Sequence, residues 1–222
     1  GYVCMSDFFT KEFFEILKLK IHQLKNVSLQ RNFIMEEYNS PRKMRVLGAD
    51  LINQYSPDLI KLYFHYKIRT IIEKIVGHKI YDCNHFNEYM VINYLTGIQS
   101  THGWHLDDPA FALVIFIKSA NDPDEGKLQF IPNWDNFKNK HVDNDDWNNI
   151  VIKAKNNTNF IEHTHSENMA YLLRADRHLH RVTELKDKTS ERIVINMAFE
   201  EKLKSYDEYG KTADKLYNKD YL

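Results

Sequence analysis

The stretch Thr101–Pro109 reads THGWHLDDP, and within it His105 and Asp107 stand two positions apart. In an extended chain that spacing points an imidazole and a carboxylate to the same face. An apolar run, Phe111–Ile117, follows directly, and a second short extended segment with two histidines, His178–Val182, comes later. Two histidines and one carboxylate on one face of a metal ion form a facial triad, which suits Fe(II) and leaves three coordination positions open. Alternation puts His178 and His180 on one face, so both compete for the third ligand position. His180 is favoured, because its spacing to Arg192 suits a single hairpin and Val182 continues a buried strand. Arg192 opens the run Arg192-Ile193-Val194-Ile195-Asn196, whose alternation puts Arg192, Val194 and Asn196 on one face. A cation on the inner face of a barrel needs an anionic partner, because burying it alone is costly. The distal carboxylate of a dicarboxylic cosubstrate, held bidentately, supplies one. His163 and His165 are expected in solvent, and His22, His65, His78, His85 and His141 carry no metal role.

The elements that must position these groups follow from composition and periodicity. The chain has 222 residues, 43% hydrophobic and 27% charged, enough for one domain with a sizeable core. Lys plus Arg number 30 against 31 Asp plus Glu, so no basic excess asks for nucleic acid. Two cysteines make no disulfide framework and no CxxC knuckle, which favours a reducing, cytoplasmic setting. There is no apolar run of membrane-spanning length and no signal-peptide pattern at the N-terminus. With seven glycines, neither a P-loop nor a dinucleotide-binding fingerprint occurs.

Residues 1–80 read as helical: Ser6–Leu24, with Ser6 as its cap, and about Pro57–Val76, stopped by Gly77. After Gly77 short apolar stretches separated by turn residues predict an antiparallel β-sandwich or barrel over 81–200. Residues 132–167 are polar and read as an insertion, partly ordered by Trp134, Phe137, Trp147 and Ile150. Residues 201–222 read as a C-terminal helix packed on the rim. A single domain spanning 1–222 is expected.

With His105, Asp107, His180 and Arg192 in an HxD…H…R pattern, residues 85–200 resemble the Fe(II)/2-oxoglutarate-dependent dioxygenases. The resemblance implies a mainly β fold with flanking helices: a double-stranded β-helix (jelly-roll, cupin-like) core with N-terminal helices and a C-terminal helix. It implies Fe(II), O2 and 2-oxoglutarate as cosubstrate, with Arg192 on the 5-carboxylate and Tyr94 nearby. A narrower resemblance is to the small enzymes that hydroxylate or chlorinate free lysine and similar amino acids. There a glutamate before the motif, together with a His and an Asp flanking the metal histidine, holds the side-chain ammonium. Glu88, His102 and Asp108 stand at the matching places. Halogenating members carry a glycine where Asp107 stands, so the resemblance implies hydroxylation, with succinate and CO2 as coproducts, and C4 of L-lysine as the position.

Two carboxylates and a histidine beside a metal form an anionic pocket that attracts and pairs a cationic substrate. Arg42, with Arg45 behind it, is the candidate for the substrate's α-carboxylate, and Asn196 donates to the same group. Tyr217 closes the pocket from the C-terminal segment. The plainer readings are that Asp108 caps a turn, that Glu88 is an exposed strand residue and that His102 orients Asp107. The expected partner is a small amino acid, with neither nucleic acid nor membrane, and a homodimer is compatible with the sequence. The rivals are a hydroxylase of lysyl or arginyl residues in a protein and a cupin-like metal-binding module without turnover.

Overall fold

The computed structural model describes residues 1–36, 39–136 and 160–220, together with 152 and 156. Its strands are β1 (Tyr2–Met5), β2 (Leu29–Met35), β3 (Ser40–Leu47), β4 (Tyr81–Asp82), β5 (Met90–Thr96) and β6 (Thr101–His105). They continue as β7 (Phe111–Lys118), β8 (Leu128–Ile131), β9 (Ile161–His163), β10 (Ala170–Arg174), β11 (Leu179–Val182) and β12 (Glu191–Glu200). The helices are α1 (Lys11–Leu24), α2 (Ala49–Tyr55), α3 (Pro57–Ile60), α4 (Tyr66–Val76) and α5 (Thr212–Tyr217). The strands are joined antiparallel in the order β1-β10-β7-β12-β5-β3-β6-β11-β8-β9, with β2 on β3 and β4 on β12. The sheet curls, so residues from β5, β6, β7, β10, β11 and β12 face one another across a single interior. This is the jelly-roll core with flanking helices that the resemblance implies.

The other face of the sheet carries the helices. Ile92, Tyr94, Leu113, Ile115, Ile193 and Ile195 pack against Phe14, Leu17, Ile21, Leu24, Ile52 and Ile72 from α1, α2 and α4. The central strands are therefore buried on both faces, and β7 is buried at every position but its last. That double burial is why Phe111–Ile117 reads as a continuous apolar run rather than an alternating one.

The N-terminal 80 residues are not helical throughout, because β1, β2 and β3 lie inside them. Polar residues on strand faces disguise β2 and β3: Arg31, Ser40 and Arg42 are all buried, so the inward pattern is not an apolar one. The first helix begins at Lys11, not after Ser6, and Thr10 caps it by accepting the Phe13 N–H. Asp7, with φ 47°, turns the chain away from a helical path. The second predicted helix is two, with a turn between Ile60 and Tyr66 that lets the buried Tyr63 hydroxyl donate to Ala198 O at 2.9 Å. Gly77 does end α4, in the left-handed conformation at φ 80°.

Within 132–167, Ile161–His163 is a strand paired with β8, and Trp134 is buried against Ile131 and Leu179. Phe137, Trp147 and Ile150 lie outside the described residues. The predicted C-terminal helix shrinks to α5 plus one 3-10 turn at Tyr206–Glu208. Gly210 interrupts it, its N–H donating to Asp108 Oδ2 at 2.9 Å. No described helix is long and apolar enough to cross a membrane.

One close approach holds β6 against β3. A Cβ on Gly103 would stand 2.8 Å from Pro41 O and 2.9 Å from Pro41 N. Gly103→Ala must push the two backbones apart. We expect a loss of about 1–3 kcal/mol in urea unfolding, and an unchanged midpoint would contradict this packing.

Candidate active site

β6 and β11 lie side by side with His105 directly opposite His180. This pairing brings the two ring centroids to 4.1 Å. The chain leaves β6 at His105, and Asp107 N–H donates to Ala175 O, which turns the carboxylate back to the rings. Asp107 Oδ1 lies 3.3 Å from His105 Nε2 and 3.6 Å from His180 Nε2. The ligand atoms of these three residues all fall within 4.8 Å of one another, and no other such group occurs among the described residues.

The second nitrogens of both rings are committed: His105 Nδ1 to Gly103 O and His180 Nδ1 to His178 O, each at 2.8 Å. An Nδ1–H donated to a carbonyl leaves the Nε2 lone pair free for a metal. Burial pushes His180 down to about 3, so its imidazole is neutral and ready to ligate. Burial alone would raise the Asp107 carboxyl, but His180, His105 and Arg42 outweigh it and hold the group below the usual carboxylate range. Two imidazoles whose Nε2 atoms are turned to one point and an ionised carboxylate are the donor set that Fe(II) takes in a facial triad.

His178 is not part of this group. Its Nδ1 accepts from Asn133 N–H at 3.2 Å and its ring stacks on Phe130. His165, expected in solvent, is buried, bonded to the Tyr2 hydroxyl at 2.7 Å and stacked on Phe116. His163 stacks on Tyr2. Neither approaches the triad, and His141 lies outside the described residues.

The triad opens on the interior of the roll, a cavity it shares with Arg192, Asn196, Asn93 and Tyr171. Arg192 is 2% exposed, and its guanidinium lies 4.8 Å over the Phe116 ring. Its Nε and Nη2 are buried with no hydrogen-bond partner. A buried guanidinium with two open donors fits a bidentate carboxylate, as the distal end of 2-oxoglutarate supplies.

Tyr94 does not belong here. It pairs with Ile193, faces the helices, and donates its hydroxyl to Ile21 O at 2.8 Å. The tyrosine beside Arg192 is Tyr171 on β10, whose hydroxyl interacts with the guanidinium. Sequence reasoning missed it, since Tyr171 reaches Arg192 only through the lateral order β10-β7-β12, which no local pattern discloses.

A second cavity, of about 210 Å3, lies on the other side of His102, His105 and Asp107, which line both. Glu88, Asp108 and Asp176 add three more carboxylates to its wall, and Thr212, Leu216 and Tyr217 cover it from α5. Glu88 reaches the cavity from the turn before β5, not by alternating with Met90, Ile92 and Tyr94, which face the helices. Burial, then Asp107 and Asp108, pushes its carboxyl well above the usual range, and its Oε2 has no hydrogen-bond partner. His102 is stacked on His105 at 4.0 Å, and burial, then His105 and Arg42, pushes its pKa well down. Asp108 receives the Gly210 N–H and carries the Lys204 ammonium on its carbonyl oxygen.

Arg42 is buried directly across from His102, on the face of β3 whose Met44 and Val46 meet Leu216 and Tyr217. Its Nη1 donates to Ser40 Oγ at 2.8 Å. Arg45 turns the other way, to Ser28. Asn196 stands in the cavity of Arg192 with its Oδ1 unpartnered. Tyr217 is buried, with Asn93 beside its hydroxyl.

No curated protein matches the chain. Several solved structures share its fold. The non-haem α-ketoglutarate-dependent carbocyclase SnoK of nogalamycin biosynthesis aligns with TM-score 0.66 at 12% identity, over 90% of this chain and 79% of its own. EctD from S. alaskensis with bound Fe aligns with TM-score 0.61 at 15% identity, over 90% and 72%. A Pseudomonas putida prolyl-4-hydroxylase aligns with TM-score 0.52 at 12% identity, over 91% and 94%. The family model described as Halogenase D matches residues 1–218. With that match and an iron-type triad in a jelly roll, the chain belongs to the Halogenase D family and is a 2-oxoglutarate-dependent non-haem iron dioxygenase.

Proposed function

We propose that this enzyme hydroxylates an unactivated side-chain carbon of a free cationic amino acid, and that the substrate is L-lysine, with C4 as the position. The observation that carries the reading is the acidic cavity. Glu88, Asp107 and Asp108 crowd one space beside the triad, and Glu88 is buried with an unpartnered oxygen. Such a cluster is costly in an empty pocket, and an incoming ammonium ion offsets the cost. A site built to pair an ammonium also rejects neutral analogues, which leave its carboxylates unpaired.

Iron with 2-oxoglutarate and O2, when bound, supplies oxidation of a C–H to a C–OH coupled to release of succinate and CO2. The residues supply position. His105, Asp107 and His180 hold the metal, while Arg192 with Tyr171 takes the distal carboxylate of the cosubstrate. Glu88, Asp108 and His102 take the side-chain ammonium of the amino acid. Arg42, opposite His102, takes its α-carboxylate, and Tyr217 covers it, whereas Asn196 stands on the cosubstrate's side with Arg192 and not in this cavity. Fixing both ends of a flexible chain selects the carbon that faces the metal. Asp107 keeps the triad complete, which supports hydroxylation rather than halogen transfer in this chain.

Glu88→Gln tests the ammonium clamp. We expect KM for lysine to rise by about 30-fold and KM for 2-oxoglutarate to stay as it is. Equal losses for both would sink the assignment. Lysinamide, which keeps both amines but lacks the carboxylate, separates a free amino acid from a lysyl residue in a peptide. The proposal expects it to be a poor substrate, and turnover equal to that of lysine would favour the peptide.

A further inference from the structure

In the C-terminal run from Ser205 to Asn218, Thr212, Ala213, Leu216 and Tyr217 line one wall of the acidic cavity, and the last three also pack in one buried cluster with Met44, Val46 and Val91. α5 is six residues long, too short to be stable by its own hydrogen bonds. At its near end the run is tied to the core by the Tyr209 hydroxyl, which donates to Glu200 Oε1 at 2.7 Å, and by the Gly210 N–H on Asp108. At its far end the polar tie is Arg31. This side chain rises from β2, opposite Met44, and is 5% exposed. Its Nε donates to Leu216 O at 2.7 Å and its Nη2 to Asn218 O at 2.6 Å.

The last carbonyls of a helix have no partner within it and carry partial negative charge, so a guanidinium completes them. The third contact, Nη1 on Gln30 O at 3.4 Å, is also to a carbonyl. Burial lowers the pKa of the group, as a cation held only by neutral oxygens requires. This polar tie acts beside the apolar packing of Leu216 and Tyr217 and differs from it, because water replaces carbonyls well when the segment lifts and the charge regains its hydration.

We infer that Arg31 is a positioning residue, the latch that holds the C-terminal segment closed over the amino-acid cavity. Through Leu216 and Tyr217 it sets the affinity for the amino acid and the coupling of 2-oxoglutarate consumption to hydroxylation. The inference rests on the amino-acid reading above for what the cavity binds, but not for the latch itself. An apparent affinity falls by the fraction of molecules in which the binding state is not formed. Loosening the latch therefore weakens the amino acid and leaves 2-oxoglutarate, held by Arg192 deeper in the roll, untouched.

The test uses Arg31→Met and Arg31→Lys in the full chain. Lys211 and Lys215 lie in the segment and offer trypsin a cut there. In Arg31→Met we expect cleavage after these two lysines to speed up by about tenfold, read by mass of the released C-terminal peptides. With iron and 2-oxoglutarate present, KM for lysine rises by about tenfold and succinate formed per hydroxylysine increases. KM for 2-oxoglutarate does not move. Arg31→Lys, which keeps one donor on the carbonyls, lies between the two.

Cleavage at the wild-type rate overturns the inference, and so does an equal rise of KM for both substrates. Cleavage spread along the whole chain in both variants makes Arg31 a residue of general stability and also overturns it. If the wild-type enzyme makes no hydroxylysine, the substrate reading fails instead. The rates of cleavage at Lys211 and Lys215 then decide the latch on their own.

Discussion

Asp107→Gly is expected to lower hydroxylation by roughly three orders of magnitude, without making the enzyme a halogenase. The carboxylate is the one anionic ligand of the triad, and both Nε2 atoms lie within 3.6 Å of its Oδ1. Its loss weakens metal binding and opens a coordination position at once. In a Halogenase D protein the obvious question is whether chloride then enters. The opened space borders Glu88 and Asp108 in the same cavity, and an anion placed there meets their field rather than a desolvated, neutral socket. The measurement is mass spectrometry of lysine turnover by the variant in saturating chloride. The expected spectrum holds neither hydroxylysine nor chlorolysine. A chlorinated product would show that the acidic cluster does not exclude an anion, and it would remove the electrostatic basis of the ammonium clamp.

Arg192→Leu carries the second large effect. Affinity for 2-oxoglutarate is expected to fall by about 100-fold, while iron binding to the triad stays intact. The guanidinium is buried over Phe116 with two nitrogens unpartnered, so the substitution removes a charge the protein itself does not satisfy. Tyr171 and the Phe116 ring are the guanidinium's neighbours, and no carboxylate among the described residues pairs with it, so the fold should tolerate the change and thermal stability should hold or rise. Calorimetric titration of 2-oxoglutarate into iron-loaded protein reads the loss. 2-Oxobutyrate, which lacks the distal carboxylate, provides the control, because the substitution should cost it little. An equal loss for both acids would mean that Arg192 does not receive the distal carboxylate.

His105 and His180 were legible because they lie on short strands, and Arg192, Val194 and Asn196 share a face of β12 as their period of two says. Asp107 stands past the end of β6 and reaches the rings through a turn held on Ala175 O, so its place agrees with the spacing but not through strand alternation. His180 is the ligand rather than His178, but the hairpin to Arg192 that favours it in the sequence does not form. β11 pairs with β6 and β8, and β12 with β4, β5 and β7. His180 joins the triad because it lies opposite His105. Tyr94 failed for a different reason. β5 is buried on both faces, so alternation says that Asn93 and Tyr94 face opposite ways but not which way is inward. Glu88 reached the predicted place by a turn, which shows a right position supported by a wrong period.

β2 and β3 escaped notice because buried Arg31 and Arg42 occupy inward positions that a hydrophobic pattern would leave to Val or Ile. The C-terminal helix was overextended because helical propensity does not register Gly210 pinned on Asp108 from across the chain. What local periodicity can state, the residues stated; the lateral order of strands, and with it Tyr171, is a property of the closed sheet.

The central claim is tested most directly by supplying the iron-loaded enzyme with 2-oxoglutarate, O2, ascorbate and each of the twenty free amino acids, with products read by mass spectrometry. We expect a gain of one oxygen on lysine, matched by an equal amount of succinate, and none on neutral or acidic amino acids. Succinate formed at one slow rate with every amino acid, and no oxygenated product, would contradict it. The acidic cavity beside His105 and Asp107 would then have to serve some substrate other than a free cationic amino acid.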